Sequence, residues 1–363
     1  MLNFNDIFVD DTKYGMKIPK EKYLSVGLYP VIDQGKEQIA GYTDESEGVY
    51  CDVPAIIFGD HTRIIKYIDV PFFLGADGTK LLKIKDNTAF NCKYLYYALS
   101  NAKIPNTGYN RHFKWLKELS FNIPSIEKQR EIADLMDIIV NLENLRKKQL
   151  EKLELFVKSR FIEIFGDPVS NPHKFTKVPL SELADIKIGP FGSLLHKEDY
   201  IENGNPVVNP SHIVNGNIVV DSRLTISNEK YEELAAYKLE IGDVVLGRRG
   251  EMGRCAVVQK EGFLCGTGSV IIRTKGEVTS DYIQQIISFP TFKRTIEDMA
   301  VGQTMPNLNV PIVSNFLITK PPVEIQKRYY DFVAQVDKSK LAIQQSLDEL
   351  ETLKKSLMQQ YFG

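Results

Sequence analysis

Pro124-Ser125-Ile126-Glu127-Lys128-Gln129-Arg130 returns later in the chain as Pro321-Pro322-Val323-Glu324-Ile325-Gln326-Lys327. With Pro124 set on Pro321, residues 124–166 align with 321–363 without a gap. Asp134 falls on Asp331, Leu150 on Leu347, Leu153 on Leu350, Glu154 on Glu351 and Ser159 on Ser356, and both copies close on Phe-Gly, at Phe165-Gly166 and Phe362-Gly363. Each copy reads as a long helix. Pro124 just ahead of the start and Glu127 in the first turn are start signals, and Gly166 followed by Pro168 is a stop. Apolar residues recur at Ile132, Leu135, Ile139 and Leu142, and after one shift of phase at Leu150, Leu153, Val157, Phe161 and Ile164. The second copy, from about Val323 to Tyr361, has its seam at Val336, Ile343, Leu347, Leu350, Leu357 and Tyr361, with Lys340 and Lys354 interrupting. About 36 helical residues give a rod of roughly 54 Å. That is too long to bury against one small domain, and heptad-like spacing asks for a helical partner. The nearest partner is the other copy, packed antiparallel so that the globular parts sit at opposite ends. The alternative is two separate amphipathic helices, each lying on its own domain.

The repeat divides the chain into residues 1–122 (globular), 123–166 (central long helix), 167–320 (globular) and 321–363 (terminal long helix). The first globular part carries strand-like runs at Tyr29–Ile32, Ala55–Phe58 and Lys80–Ile84, separated by breakers such as Gly35 and Asp77-Gly78. The second carries them at Asn217–Val220, Asp243–Leu246 and Ser269–Ile272. Helix candidates fall at Cys92–Asn101 and Asp281–Ser288, in corresponding places. Phe73-Leu74-Gly75-Ala76-Asp77-Gly78 resembles Phe263-Leu264-Cys265-Gly266-Thr267-Gly268, each ahead of an apolar strand. Elsewhere the halves diverge. Similar frames with different surfaces suit two readers of different targets.

The chain has 363 residues, 43% hydrophobic and 25% charged, enough for two domains with their own cores. No apolar run approaches the ~20 residues that span a bilayer, and the mixed, acidic stretch Met1–Asp11 is not a signal peptide. Cys51, Cys92, Cys255 and Cys265 form no Cys-x-x-Cys pair and the five histidines do not cluster. The expectation is a cytoplasmic protein with reduced thiols, all four buried as small hydrophobes, and no metal. A formal net charge of −2 weighs against a polyanion partner, but phosphates respond to the local field over one face.

No catalytic signature is present. Asn171-Pro172-His173 and Asn209-Pro210-Ser211 lack the second proline and aromatic of an amino-methyltransferase motif and read as turns. Gly35-Lys36 lacks the glycine of a phosphate loop, and Gly189-Pro190-Phe191-Gly192-Ser193 has no dinucleotide fingerprint around it. What remains is a set of polar and basic residues near loops. In the first half these are Lys17, Lys20, Gln34, Lys36, Gln38, Tyr42, Arg63, Asn110, Arg111 and His112. In the second they are Ser193, Asn209, Ser211, His212, Arg248, Arg249, Arg254, Gln303 and Asn307. Arginine pairs with guanine edges and asparagine or glutamine with adenine edges; lysine and serine hold phosphates. For any one of them alone, a solvated loop side chain is the favoured reading. Gly247-Arg248-Arg249-Gly250 concentrates positive charge on a turn. Its rival reading is a structural ion pair with Glu240, Asp243 or Glu251.

The whole chain resembles the specificity subunit of Type I restriction-modification systems. The likeness is carried by Ile123-Pro124-Ser125-Ile126-Glu127-Lys128-Gln129-Arg130 and its echo at Pro321, by the Phe-Gly after each helix, and by Gly166-Asp167-Pro168 opening the second half. Further stretches that carry it are Tyr29-Pro30-Val31-Ile32-Asp33-Gln34-Gly35, Leu180-Ser181-Glu182-Leu183-Ala184-Asp185-Ile186 and Gly242-Asp243-Val244-Val245-Leu246. The resemblance implies an α+β fold: two target-recognition domains with mixed or antiparallel β cores, separated by two long helices that form an intramolecular antiparallel coiled coil. It implies that each domain reads one half of a split double-stranded DNA target while the helices set the spacing. It further implies that the helices dock two methyltransferase (modification) subunits, that a motor-nuclease (restriction) subunit joins for cleavage, and that the chain itself catalyses nothing and carries no cofactor. A coiled-coil scaffold whose β domains bind proteins is the alternative. One departure stands out. The strand-like run Val178–Gly189 that opens the second half has no clear counterpart after Met1, so the first recognition domain is expected to be trimmed or of another subclass.

Overall fold

The computed structural model describes residues 1–75, 77–108, 110–191, 194–300 and 307–363. The chain divides into two compact units, Met1–Leu150 with Ala342–Gly363, and Glu151–Leu341. Each holds a part of both long helices, which run Ile126–Phe165 and Val323–Phe362 and have 40 residues each. The first ends where Gly166 takes φ +72°, the left-handed conformation that glycine adopts without strain, and its N–H donates to the Ile162 carbonyl.

The first unit is built on a four-stranded antiparallel sheet in the order Phe8–Asp10, Thr79–Ile84, Ala55–Gly59, Ile65–Ile68. The central strand Ala55–Gly59 is buried along its whole length, which explains its unbroken apolar run. Ile56 and Phe58 join a core with Phe4, Ile7, Leu82, Tyr94, Leu95 and Leu99. Ile57 points to the opposite face and packs with Ile32, Leu74 and Leu81, as the two-residue period of a strand requires. A second sheet lies in the order Gly41–Thr43, Tyr29–Ile32, Phe73–Leu74, its last pair parallel.

The second unit repeats this plan. Its main sheet runs Ala184–Ile188, Ser269–Thr274, Val244–Gly247, Cys255–Val257. Val244 and Leu246 face one core and Val245 the other. Its second sheet runs Tyr200–Ile201, Thr225–Ile226, Asn205–Val208, Leu264–Cys265, again with the last pair parallel.

The register corrects two expectations. Leu2–Asn3 pairs with Ser120–Phe121 and is followed by a helical turn, Phe4–Ile7, and the strand Phe8–Asp10. Lys177–Pro179, Leu180–Leu183 and Ala184–Ile188 do the same in the second unit. The opening run therefore has a counterpart, too short to show a period in sequence. The match of Phe73–Gly78 to Phe263–Gly268 also shifts. Phe73 pairs with Val31 as Leu264 pairs with Val207, so Phe73 corresponds to Leu264, not to Phe263. Thr79 and Ser269 correspond, and the first unit carries one extra residue in the turn between.

Within each unit the two helix segments pack antiparallel. In the first, Glu143 meets Lys354, while Ile132 and Met136 lie in the cluster that Tyr361 and Phe362 cover. In the second, Phe156 stacks edge-on to Phe332 and Phe165 to Tyr329. The seam of the first unit differs from the expected one. Ile132, Met136, Ile139 and Glu143 are buried, whereas Leu135 and Leu142 lie outside, 36% and 38% exposed. Glu143 takes an inward position because Lys354 satisfies it at 2.7 Å, so the lysine that interrupts the terminal seam is the partner of a buried carboxylate. Lys340 pairs locally with Asp337 at 3.3 Å.

Gln129 and Gln326, superposed by the repeat, are both 0% exposed. Gln129 Oε1 accepts from the Asn91 N–H at 2.9 Å, and its Nε2 donates to the Ala89 and Pro124 carbonyls at 3.0 and 2.9 Å. Gln326 Oε1 accepts from the Thr279 N–H at 2.9 Å, and its Nε2 donates to the Pro321 carbonyl at 2.8 Å. Asn91 and Thr279 are the N-caps of helices Cys92–Asn101 and Ser280–Ile287. One amide thus locks a short helix to the start of a long one, twice. Cys92, Cys255 and Cys265 are buried as expected; Cys51 is exposed.

Candidate nucleic-acid interface

In each unit the main sheet and the parallel pair converge on one group of loops. Glycines Gly59 and Gly247 end the central strands, paired with Thr79 and Ser269. The next residue is held identically in both units. The Asp60 N–H donates to the Gly78 carbonyl at 2.7 Å, and the Arg248 N–H to the Gly268 carbonyl at 3.0 Å. The Asp60 carbonyl accepts from the His112 N–H at 2.8 Å, and the Arg248 carbonyl from the Leu308 N–H at 3.0 Å. A hairpin loop, the turn ahead of Thr79 or Ser269, and a segment from the far end of each globular part are thereby brought together.

In the first unit Gln34 is the hub. Its Oε1 accepts from the His61 N–H at 3.2 Å, its Nε2 donates to the Asp77 carbonyl at 2.9 Å, and its carbonyl accepts from the Thr62 hydroxyl at 2.7 Å. Gly78 adopts φ +85°, and a Cβ there would stand 2.6 Å from Gln34 Nε2 and 2.8 Å from the His61 ring. His61 Nδ1 lies 3.2 Å from the Asn110 carbonyl. Asp77 gathers cations: Lys17 Nζ sits 2.5 Å away, and Lys17 with the more distant Arg111 holds its carboxyl below the usual range. Beneath the loop, Lys66 is 2% exposed, 3.5 Å from Asp33, and donates to the Glu37 carbonyl at 2.5 Å; burial lowers its pKa. Its counterpart by strand pairing is Ala256, so this buried tether belongs to the first unit. Pattern reading missed Lys66 because it stands among apolar neighbours in a strand.

Several residues chosen from sequence turn out to hold loops in place. His112 is 0% exposed, and its Nδ1 contacts the Asp60 carbonyl at 2.9 Å. His212 is 7% exposed and its Nδ1 accepts from the Asn209 N–H at 3.1 Å. Arg63, at φ +61°, donates to the Ile104 carbonyl at 3.3 Å. Gln38 Nε2 donates to the Tyr67 carbonyl at 2.8 Å, and Tyr42 is half-buried in the second sheet. Asn209 packs against Gly266, where a Cβ would meet its Oδ1 at 2.2 Å. Lys17, Lys20, Lys36, Asn110, Arg111, Ser211 and Arg249 are exposed. Ser193 and Gln303 lie outside the described residues.

The acids proposed as rivals for Arg248 and Arg249 are engaged elsewhere. Asp243, 1% exposed, takes a two-point bond from Arg273 at 2.8 Å and 2.8 Å, and Glu240 also pairs with Arg273. Glu251 pairs with Arg254 at 2.6 Å and Lys293 at 3.2 Å. Arg254 further donates to the Pro210 carbonyl at 3.3 Å. Arg248 Nε donates to Asn307 Oδ1 at 3.0 Å, and partial burial with its neighbour Arg249 lowers its pKa. Among the described residues neither Arg248 nor Arg249 forms an ion pair. No group of three or more His, Cys, Asp or Glu among the described residues is placed to hold a metal, and no helix is long and apolar enough to cross a membrane. The first loop group thus offers lysine, arginine, imidazole and amide groups and the second arginine, hydroxyl and amide groups, which suits hydrogen bonding to base edges and phosphates.

The model of the Type I restriction modification DNA specificity domain family matches residues 3–155 and 172–352. The Type I restriction enzyme MjaVIII specificity subunit of Methanocaldococcus jannaschii is 21% identical over 264 residues, 68% of this chain and 61% of that protein. The chain thus spans less than two thirds of that relative's length. Among solved structures, the Type-I restriction-modification S subunit from M. genitalium matches with TM-score 0.63 at 17% identity, covering 99% of this chain and 95% of that one. The HsdS subunit from Thermoanaerobacter tengcongensis matches with TM-score 0.50 at 17% identity, covering 98% and 93%. At such identity these two likenesses establish the fold.

Proposed function

Because this chain belongs to the Type I restriction modification DNA specificity family, we propose that it is the sequence-reading subunit of a Type I restriction-modification complex. In this reading each unit carries one target-recognition domain, residues 1–122 and 167–320, and each domain reads one part of a split duplex target through its loop group. The long helices, 123–166 and 321–363, set the separation of the two parts. One observation carries the reading. The same frame presents the same three loops twice, and the side chains on them differ, as two readers of unlike sequences need. Linking two weak readers multiplies their affinities through effective concentration.

The helices also dock two methyltransferase (modification) subunits, and a motor-nuclease (restriction) subunit joins them for cleavage of double-stranded DNA. A stripe of exposed apolar side chains on the central helix within the first unit supports docking. Leu135, Ile138, Leu142 and Leu145 are 36%, 56%, 38% and 56% exposed at helical spacing. The chain contributes recognition and no catalysis or cofactor, and it works in the cytoplasm beside its DNA. The test is a duplex-binding assay of the full chain with its modification subunits. A two-part duplex should be bound, and altering either part alone should weaken binding strongly. Equal binding to scrambled duplex would count against the proposal.

A further inference from the structure

The two hairpin loops differ in length and share no sequence, yet their backbone bonds fix which residues correspond. Gly59 and Gly247 accept the closing position of each hairpin: the Gly59 N–H donates to the Ile64 carbonyl at 2.8 Å and the Gly247 N–H to the Arg254 carbonyl at 2.9 Å. Asp60 and Arg248, one residue on, are both pinned from two sides as described. The Asp60 side chain looks inward and that of Arg248 is half-buried. Asp60 is 3% exposed and its Oδ1 accepts from the Phe113 N–H at 2.7 Å; Arg248 Nε donates to Asn307. The second residue after each glycine is the next position on this frame, half-buried in the first unit and exposed in the second. These residues are His61 and Arg249. Each lies beside the segment arriving from the far end of its domain, His61 at the Asn110 carbonyl and Arg249 in a backbone bridge with Asn307.

We propose that His61 and Arg249 are corresponding base-reading residues, one in each recognition domain, and that their difference helps to give the two halves of the target different sequences. The proposal rests on the reading of the chain as a DNA specificity subunit. Arg249 carries a fork of donors that matches the O6 and N7 acceptors of guanine. With Nδ1 donating to the Asn110 carbonyl, the neutral imidazole of His61 carries its acceptor on Nε2, a different and narrower code. The half read by the second domain should hold a guanine that depends on Arg249. The half read by the first should hold a position that depends on His61.

The test uses the full chain with its modification subunits. The methylation motif of the unaltered complex is first determined by sequencing modified DNA; absence of a two-part motif would sink the underlying function, independently of these residues. Relative affinities are then measured for duplexes with each position of each half changed. Arg249→Ala and Arg249→His should lower discrimination about 10-fold or more at one guanine in one half and leave the other half as before. His61→Ala and His61→Arg should do so at one position in the opposite half. Thermal melting checks that the variants fold, and His61→Asn and Arg249→Lys serve where alanine does not. Uniform weakening on every duplex, or loss in the same half for both residues, would overturn the proposal, as would unchanged discrimination in folded variants.

Discussion

Replacing Gln326 by leucine tests how the repeat builds each unit. Leucine is close to glutamine in size, so the change removes hydrogen bonds with little change of volume. It strands the Thr279 N–H and the Pro321 carbonyl, both satisfied by the Gln326 amide at 2.9 and 2.8 Å at a site with 0% exposure. An unsatisfied buried polar group costs about 1–3 kcal/mol. The Pro321 bond is fully buried and the Thr279 bond partly so, so the sum should be about 2–4 kcal/mol. For a unit of this size each kcal/mol moves the midpoint by roughly 2–4 °C, so its transition should fall by about 4–15 °C. Gln129→Leu strands three groups in the first unit and should cost at least as much. The assay is urea and thermal unfolding followed by circular dichroism, with the two units analysed as separate transitions. If both variants lose less than about 0.5 kcal/mol, the amides are not structural clamps and the account of the repeat fails.

Other expectations follow from the same geometry. Lys354→Met leaves Glu143, 5% exposed, without its partner; Lys354 is partly exposed, so the loss should be about 1–3 kcal/mol, and the double variant Glu143→Leu with Lys354→Leu should recover most of it in urea melts. A double variant as unstable as the single one would show that the pair matters for more than charge. Native protein treated with a thiol reagent at pH 8 should be labelled at Cys51 alone, because burial pushes the Cys92 and Cys255 thiols up to about 12 and that of Cys265 higher still; mass spectrometry showing rapid label on any of these three would contradict the buried assignment. Arg248→Ala combined with Arg249→Ala should weaken DNA binding and flatten its salt dependence by roughly one to two phosphate equivalents if the pair also meets backbone, with a melting shift of about 2 °C or less. A large drop in melting temperature would favour the structural role for these arginines.

Much of this fold was legible because long-range order repeats local signals. The two long helices could be read from Pro124, Glu127 and Gly166 and their echoes, and the buried strands from runs such as Ala55–Phe58. The inward phase of the central helix was not legible. Leu135 and Leu142 look like core and Glu143 like surface, until Lys354, far away in sequence, reverses the choice. The opening strand of the first unit was missed because two residues, Leu2 and Asn3, hold no period; pairing with Phe121 and Ser120 defines it. At the candidate interface composition pointed to these loops but not to the direction of each side chain. His112 and His212 are loop supports, and Gln34 spends its amide on His61 and Asp77. His61 itself carried no signal, since its place is set by the bonds of Asp60 and not by any neighbouring motif.

The central claim is that one chain holds two DNA readers at a separation set by its paired helices. Its most direct test is the methylation motif of a host carrying the unaltered gene, compared with one in which a heptad is deleted from both long helices. Seven residues shorten a helix by about 10.5 Å, close to three base pairs at about 3.4 Å each. The account predicts two defined sequence blocks around an unspecified gap, with the blocks kept and the gap shortened in the deletion. A contiguous motif, or a gap of unchanged length in a folded and active deletion, would contradict it.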